Sequence, residues 1–241
     1  WNTSAVTDMS NLFSGARNSS MQTFNSNISN WIVSSVINMS GMFRLAQDFN
    51  IDISGWERQS GVNGATSTST LVNVTNMNAM FMQASDFNQD ISNWNVSNVT
   101  NMSHMFRHTR NFNQPISKPI GGWDVSSVTN MGWMFANSQF NKDLSWWNVS
   151  NVTSFRAMFE NGNYGTTGST SNPTGDEVLI RSWAVSETAN LDSIFYNNHS
   201  HINVTFSNAH LEAQANNRPK FNQTRAVSDY INAGYTLAQL F

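Results

Sequence analysis

The sequence predicts an α/β solenoid of about seven turns of roughly 25 residues. Each turn is expected to carry one short parallel strand, with a short helical or 3₁₀ segment opposite. Two observations lead there. The stretch NWNVSNVTNMSHMF (Asn93–Phe106) returns as GWDVSSVTNMGWMF from Gly122 and as WWNVSNVTSFRAMF from Trp146. Tryptophan marks the phase at Trp1, Trp31, Trp56, Trp94, Trp123, Trp147 and Trp183, with steps of 25 residues from Trp31 to Trp56 and 24 from Trp123 to Trp147. Repetition at this period means stacked units, because one unit cannot bury its own apolar face.

Each copy reads W-x-V-S-x-V-T-x-M-S-x-M-F, then a variable stretch, then F-N-x-D-I-S-x before the next Trp. DISNW (Asp90–Trp94) alternates polar and apolar residues and reads as the strand. Val96, Val99, Met102 and Met105 recur three apart, the spacing of a tight turn or 3₁₀ segment. Met102, Met105 and Phe106 also fit a short helix. The columns Phe13, Phe43, Phe81, Phe106, Phe135, Phe159, Phe195 and Met9, Met39, Met77, Met102, Met131 are the expected continuous core. A polar column, Asn25, Asn50, Asn88, Asn113 and Asn141, follows Phe each time. It reads as a buried asparagine ladder bonding backbone groups that turn out of the sheet.

Residues 1–204 are assigned to the repeats, with insertions near 57–70, 117–121 and 160–178. Residues 205–241 are assigned to a C-terminal cap or docking segment. Trp1 falls inside a copy, which suggests a processed or incomplete N-terminus. A head-to-tail contact between open ends would make a filament.

FNQDISNWNVSNVTNMSHMF (Phe87–Phe106) resembles the repeat of the BspA-like leucine-rich-repeat surface proteins, a family of mostly unknown function common in mycoplasma and other bacterial surface proteins. The resemblance covers Trp1 to about Phe195. It implies a leucine-rich-repeat-like solenoid, display at the cell surface or outside the cell, and a role in adhesion. It implies no catalytic residue.

Composition narrows the function classes. Charged residues are 11% of the chain and the net charge is -3. A nucleic-acid partner would require a dense basic surface instead. There is no cysteine, which excludes disulfides, thiol nucleophiles and thiolate metal sites. No apolar run is long enough to span a membrane. No Ser/His/Asp order, phosphate-cradling glycine loop or tuned carboxylate pair stands out, so neither an enzyme nor a cofactor is expected.

The expected function is structural and interactive: an adhesin-type solenoid or self-assembling fibre protomer, with a carbohydrate-binding module as the alternative. Its partners would be proteins, copies of itself included, or surface glycans. Trp133 and Trp146 stand in columns otherwise held by small or polar residues, and exposed aromatics suit partner or sugar contacts. Tyr230, Tyr235, Leu237, Leu240 and Phe241 are the tail's contact candidates. Asn2, Asn95, Asn98, Asn148 and Asn151 head Asn-x-Ser/Thr triplets and are candidate glycosylation sites, although the repeat rule alone generates such triplets. His104 and His108, like His199 and His201, lack the further ligands a zinc site needs. Asn27, Asp52, Asp90 and Asp143 share a phase where stacking could gather carboxylates for calcium, but solvated aspartates on a sheet face are the expected reading.

Overall fold

In a computed structural model of the chain, residues 2–56, 58–59, 68–69, 71–117, 121–144, 146–162, 183–186 and 188–196 are described. Consecutive copies of the motif lie against one another in chain order. Isolated parallel bridges link Asp8 to Asn38, then Asn76, Asn101, Asn130, Ser154 and Asn190. Each bridge falls on the residue that opens the Met-x-x-Met-Phe segment.

The expected strand is therefore misplaced. Asp90–Trp94 carries no strand; it is irregular at Asp90 and Ile91 and turns at Ser92 and Asn93. The reason is local: Ser92 N–H donates to Asp90 Oδ1 at 2.9 Å, an Asx turn that takes the place of a strand. The same turn recurs in this copy at Asn95 with Ser97 and at Asn101 with Ser103, at 3.1 and 3.0 Å. Asn-x-Ser and Asp-x-Ser triplets are thus the sequence form of the turn chemistry.

Pairing between copies runs along the segment after Asn101 in an alternating pattern. The N–H groups of Met102, His104, Phe106 and His108 donate to the carbonyls of Asn130, Gly132, Met134 and Ala136 in the next copy, at 2.9–3.0 Å. The N–H groups of Met105, Arg107 and Thr109 fold back on Met102, His104 and Phe106, at 3.1–3.2 Å. The segment is a run of fused turns, neither α-helix nor regular strand. The Thr column closes the ladder in the opposite sense: Thr129 N–H and Oγ1 both donate to Thr100 O, at 2.9 and 3.1 Å.

This geometry needs left-handed residues at the third position of a turn. Asn11, Ala79, His104, Trp133, Ala157 and Ser193 hold φ between 51 and 58°, and Gly41 holds 62°. A side chain in that conformation costs roughly 1–2 kcal/mol. No β-branched residue occupies the column, as its sterics require.

Rings fill the interior. Phe81, Phe106 and Phe135 stack copy on copy, with centroids 5.6 and 5.7 Å apart. A second Phe column lies beside the first: Phe106 meets Phe112 at 4.0 Å within its own copy. That second column is the Phe of each Phe-Asn pair and is as buried as the first. Trp123 and Trp147 stack at 6.4 Å. The indole N–H of Trp94 donates to Ile53 O and that of Trp123 to Ile91 O, so the Trp column also stitches copies together.

The Asn column does make a ladder, but at the surface and not in a buried network. Asn50 N–H donates to Asn25 Oδ1, Asn88 N–H to Asn50 Oδ1, and Asn113 N–H to Asn88 Oδ1, each at 3.0 Å. Asn25, Asn50 and Asn88 are exposed, and only Asn141 is buried. The insertion near 57–70 starts from a two-strand antiparallel hairpin, β1 (Arg58–Gln59) with β2 (Thr68–Ser69). The tail candidates Tyr230, Tyr235, Leu237, Leu240 and Phe241 lie outside the described residues, as do Trp1, His199, His201 and most of the residues of all three insertions.

The left-handed column can be tested directly. Ala79→Gly relieves the strain and should raise stability by about 1 kcal/mol. Ala79→Val should lower it by more than that, because a β-branched chain is poorly tolerated at positive φ. Urea unfolding of the pair checks this, and equal midpoints would refute the turn assignment.

Candidate functional site

Trp133 sits in the left-handed column with φ 55°. Its backbone is fixed on both sides, by His104 N–H donating to Gly132 O and by its own N–H donating to Arg156 O. The ring is fixed on both sides too. His104 stacks on it nearly parallel, at 4.9 Å and 6°. From the following copy, the Arg156 guanidinium lies over the ring, 5.1 Å from its centroid. Arg156 is anchored in turn by Asp192 at 3.3 Å. Trp133 therefore keeps an edge for a partner but neither face.

Trp146 behaves differently. It is 60% exposed, beside the buried Trp147 of the core column. The two tryptophans stand on different turns: Trp133 belongs to the fused turns, whereas Trp146 belongs to the turn before the Trp column.

A cationic group adjoins Trp133. Burial, reinforced by the charges of Arg107 and Arg44, holds the His104 imidazole below its usual range. Burial, then Arg107 and Arg110, does the same to His108. The buried Nε atoms of Arg44 and Arg107 and the Nδ1 of His104 have no hydrogen-bond partner among the described residues. Sequence reasoning missed this cluster, because arginines that share a phase two copies apart, at unequal spacing in number, do not form a motif. Among the described residues, no group of three or more His, Asp or Glu is placed to hold a metal. Asp52 and Asp90 instead accept backbone N–H bonds from Ser54 and Ser92.

The candidate glycosylation asparagines divide by role. Asn2, Asn95 and Asn148 accept through Oδ1 from Ser4, Ser97 and Ser150 as Asx turns. Asn98 and Asn151 donate through Nδ2, the atom a sugar would need, to Val72 O at 2.8 Å and Ser126 O at 2.7 Å of the preceding copy. Asn73 makes the same bond to Ser34 O at 2.7 Å.

The family model of the Mycoplasma protein of unknown function DUF285 matches residues 1–67 and 61–172. The chain belongs to this family. No curated protein and no solved structure matches it. Among the described residues of this DUF285 protein, no helix is long and apolar enough to cross a membrane.

Two outcomes follow for the DUF285 chain. Asn98→Ala removes a bond between copies and should cost about 0.5–1.5 kcal/mol in protein made without glycosylation; an unchanged unfolding midpoint would deny Asn98 its structural role. The depressed histidines set a pH dependence. The unfolded chain takes up protons near the ordinary histidine value while the folded chain resists, so stability is level at neutral pH. It falls as pH drops through about 6.5 and levels again below the folded values. His104→Gln should flatten that slope in thermal melts between neutral and mildly acidic pH.

Proposed function

We propose that this DUF285 chain is a leucine-rich-repeat-like solenoid of the BspA-like type, serving outside the cell as a non-enzymatic, adhesin-type interaction scaffold. The observation that carries the reading is Trp146. Asn30, Gly55, Asn93 and Gly122 hold its column elsewhere, yet here a large aromatic is 60% exposed. An exposed indole is a favoured anchor in partner contacts. Low charge, absent cysteine and the resemblance of Phe87–Phe106 to surface-protein repeats support display outside the cell.

A sugar-binding form of the same reading rests on Trp146 alone, since both faces of Trp133 are covered by His104 and Arg156. Another copy of the chain is a further candidate partner, and sedimentation of the full chain at rising concentration separates that case from a host protein.

Beads coated with the full chain should adhere to host-cell layers, and soluble chain should compete. Trp146→Ala should cut adhesion about ten-fold, the order of a truncated aromatic anchor, without moving the unfolding midpoint. Adhesion that survives the substitution would remove Trp146 from the contact. Wild-type beads that fail to adhere would overturn the scaffold reading.

A further inference from the structure

We propose that Arg44 and Arg107, with Met82 between them, form a carboxylate-binding strip that takes an acidic segment of a partner protein. The proposal rests on the scaffold reading and names a second contact for it. The ladder places the three residues in one column of consecutive copies: Leu45 N–H donates to Met82 O at 2.8 Å, and Gln83 N–H to Arg107 O at 2.9 Å. Neighbouring members of the column are one pairing step of about 4.8 Å apart. Met82, half-buried, gives an apolar floor between two guanidinium groups.

The polar chemistry of the column is incomplete. Arg44 Nε and Arg107 Nε are both buried without a hydrogen-bond partner among the described residues, so an outside carboxylate would meet the terminal amino groups of each guanidinium. The ion pair found among those residues is elsewhere, between Arg156 and Asp192. The charges that act on the adjoining His104 and His108 are Arg44, Arg107 and Arg110, all cationic. A chain with net charge -3 thus turns locally positive along this strip. The planar guanidinium fork matches a carboxylate through two parallel N–H bonds.

The same charges could meet an acidic glycan, but the geometry favours a peptide. Sugar recognition gains from a bare aromatic face, and the aromatic that adjoins the strip, Trp133, has both faces covered. An aspartate or glutamate side chain needs only the fork and an apolar floor for its methylene groups.

The test titrates the full chain with fluorescein-labelled decaglutamate and, separately, with a heparin oligosaccharide at low salt. Decaglutamate should bind, and Arg44→Gln and Arg107→Gln should each weaken binding about ten-fold. Arg107→Lys, which keeps the charge but not the fork, should give a smaller loss, and Lys142→Gln should give none. Unfolding midpoints confirm that each variant is folded. Failure of the wild-type chain to bind decaglutamate would overturn the proposal, as would binding as tight as wild type by either Gln variant. Tighter heparin binding through the same arginines would make the strip a glycan site and overturn it as well. Loss of the strip leaves Trp146-dependent adhesion untouched, and loss of adhesion leaves decaglutamate binding untouched, so the two failures are told apart.

Discussion

The structure depends on one division of labour among backbone amides. In the fused-turn segment every second N–H leaves its own copy for the next, and the alternate ones close back three residues. A regular strand has no such inward-closing bonds, and a helix spends all its interior donors within itself. Meeting both demands forces left-handed residues such as His104 and Trp133, with φ 58 and 55°. The strain is tolerated because each of these residues donates its own N–H to a neighbouring copy while Met102, Met105 and Phe106 on either side enter the core.

The side chains then reinforce what the backbone starts. Thr129 doubles the bond to Thr100 O, Asn98 reaches Val72 O, and Trp123 reaches Ile91 O. Three separate columns thus help to hold copies to the ones before them. These bonds use amides, hydroxyls and indoles, groups that carry no charge, which accounts for a chain that is polar yet only 11% charged. Neutral ladders can stack identical residues at close spacing, whereas a column of like charges at the same spacing would repel.

The inward columns were readable from the sequence, because burial imposes one residue type on each phase: Phe81, Phe106 and Phe135 recur without exception and are fully or almost fully buried. The pairing segment was not. Asp90–Trp94 alternates like a strand, but its alternation reflects an Asx turn followed by the Trp anchor. The left-handed column had a signature that could have located it, since Asn11, Gly41, Ala79, His104 and Trp133 share no side-chain chemistry and agree only in not being β-branched. The second Phe column was hidden because the Asn of each Phe-Asn pair recurs in the same phase step as the ring beside it, so spacing alone does not separate core from ladder. Long-range side-chain clusters such as Arg44 with Arg107 were illegible for a different reason: unequal insertions separate them in number while the ladder aligns them in space.

One break in the repeat rule can be followed bond by bond. Ile91 O accepts the N–H of Trp94 three residues on, but Ile116 O accepts that of Trp123 at 2.9 Å, seven residues on, across the insertion near 117–121. The same turn is closed with a longer loop. In the copy that follows, Trp147 Nε1 has no partner among the described residues. The neighbouring copies also carry Trp133, Trp146 and Arg156, each the largest side chain of its column. A buried indole without a partner costs about 1–3 kcal/mol. Such a cost is borne more readily where the residues around it serve something other than stacking. The departures from the repeat therefore point to the same stretch of the chain as the exposed Trp146 and the strip that ends at Arg107.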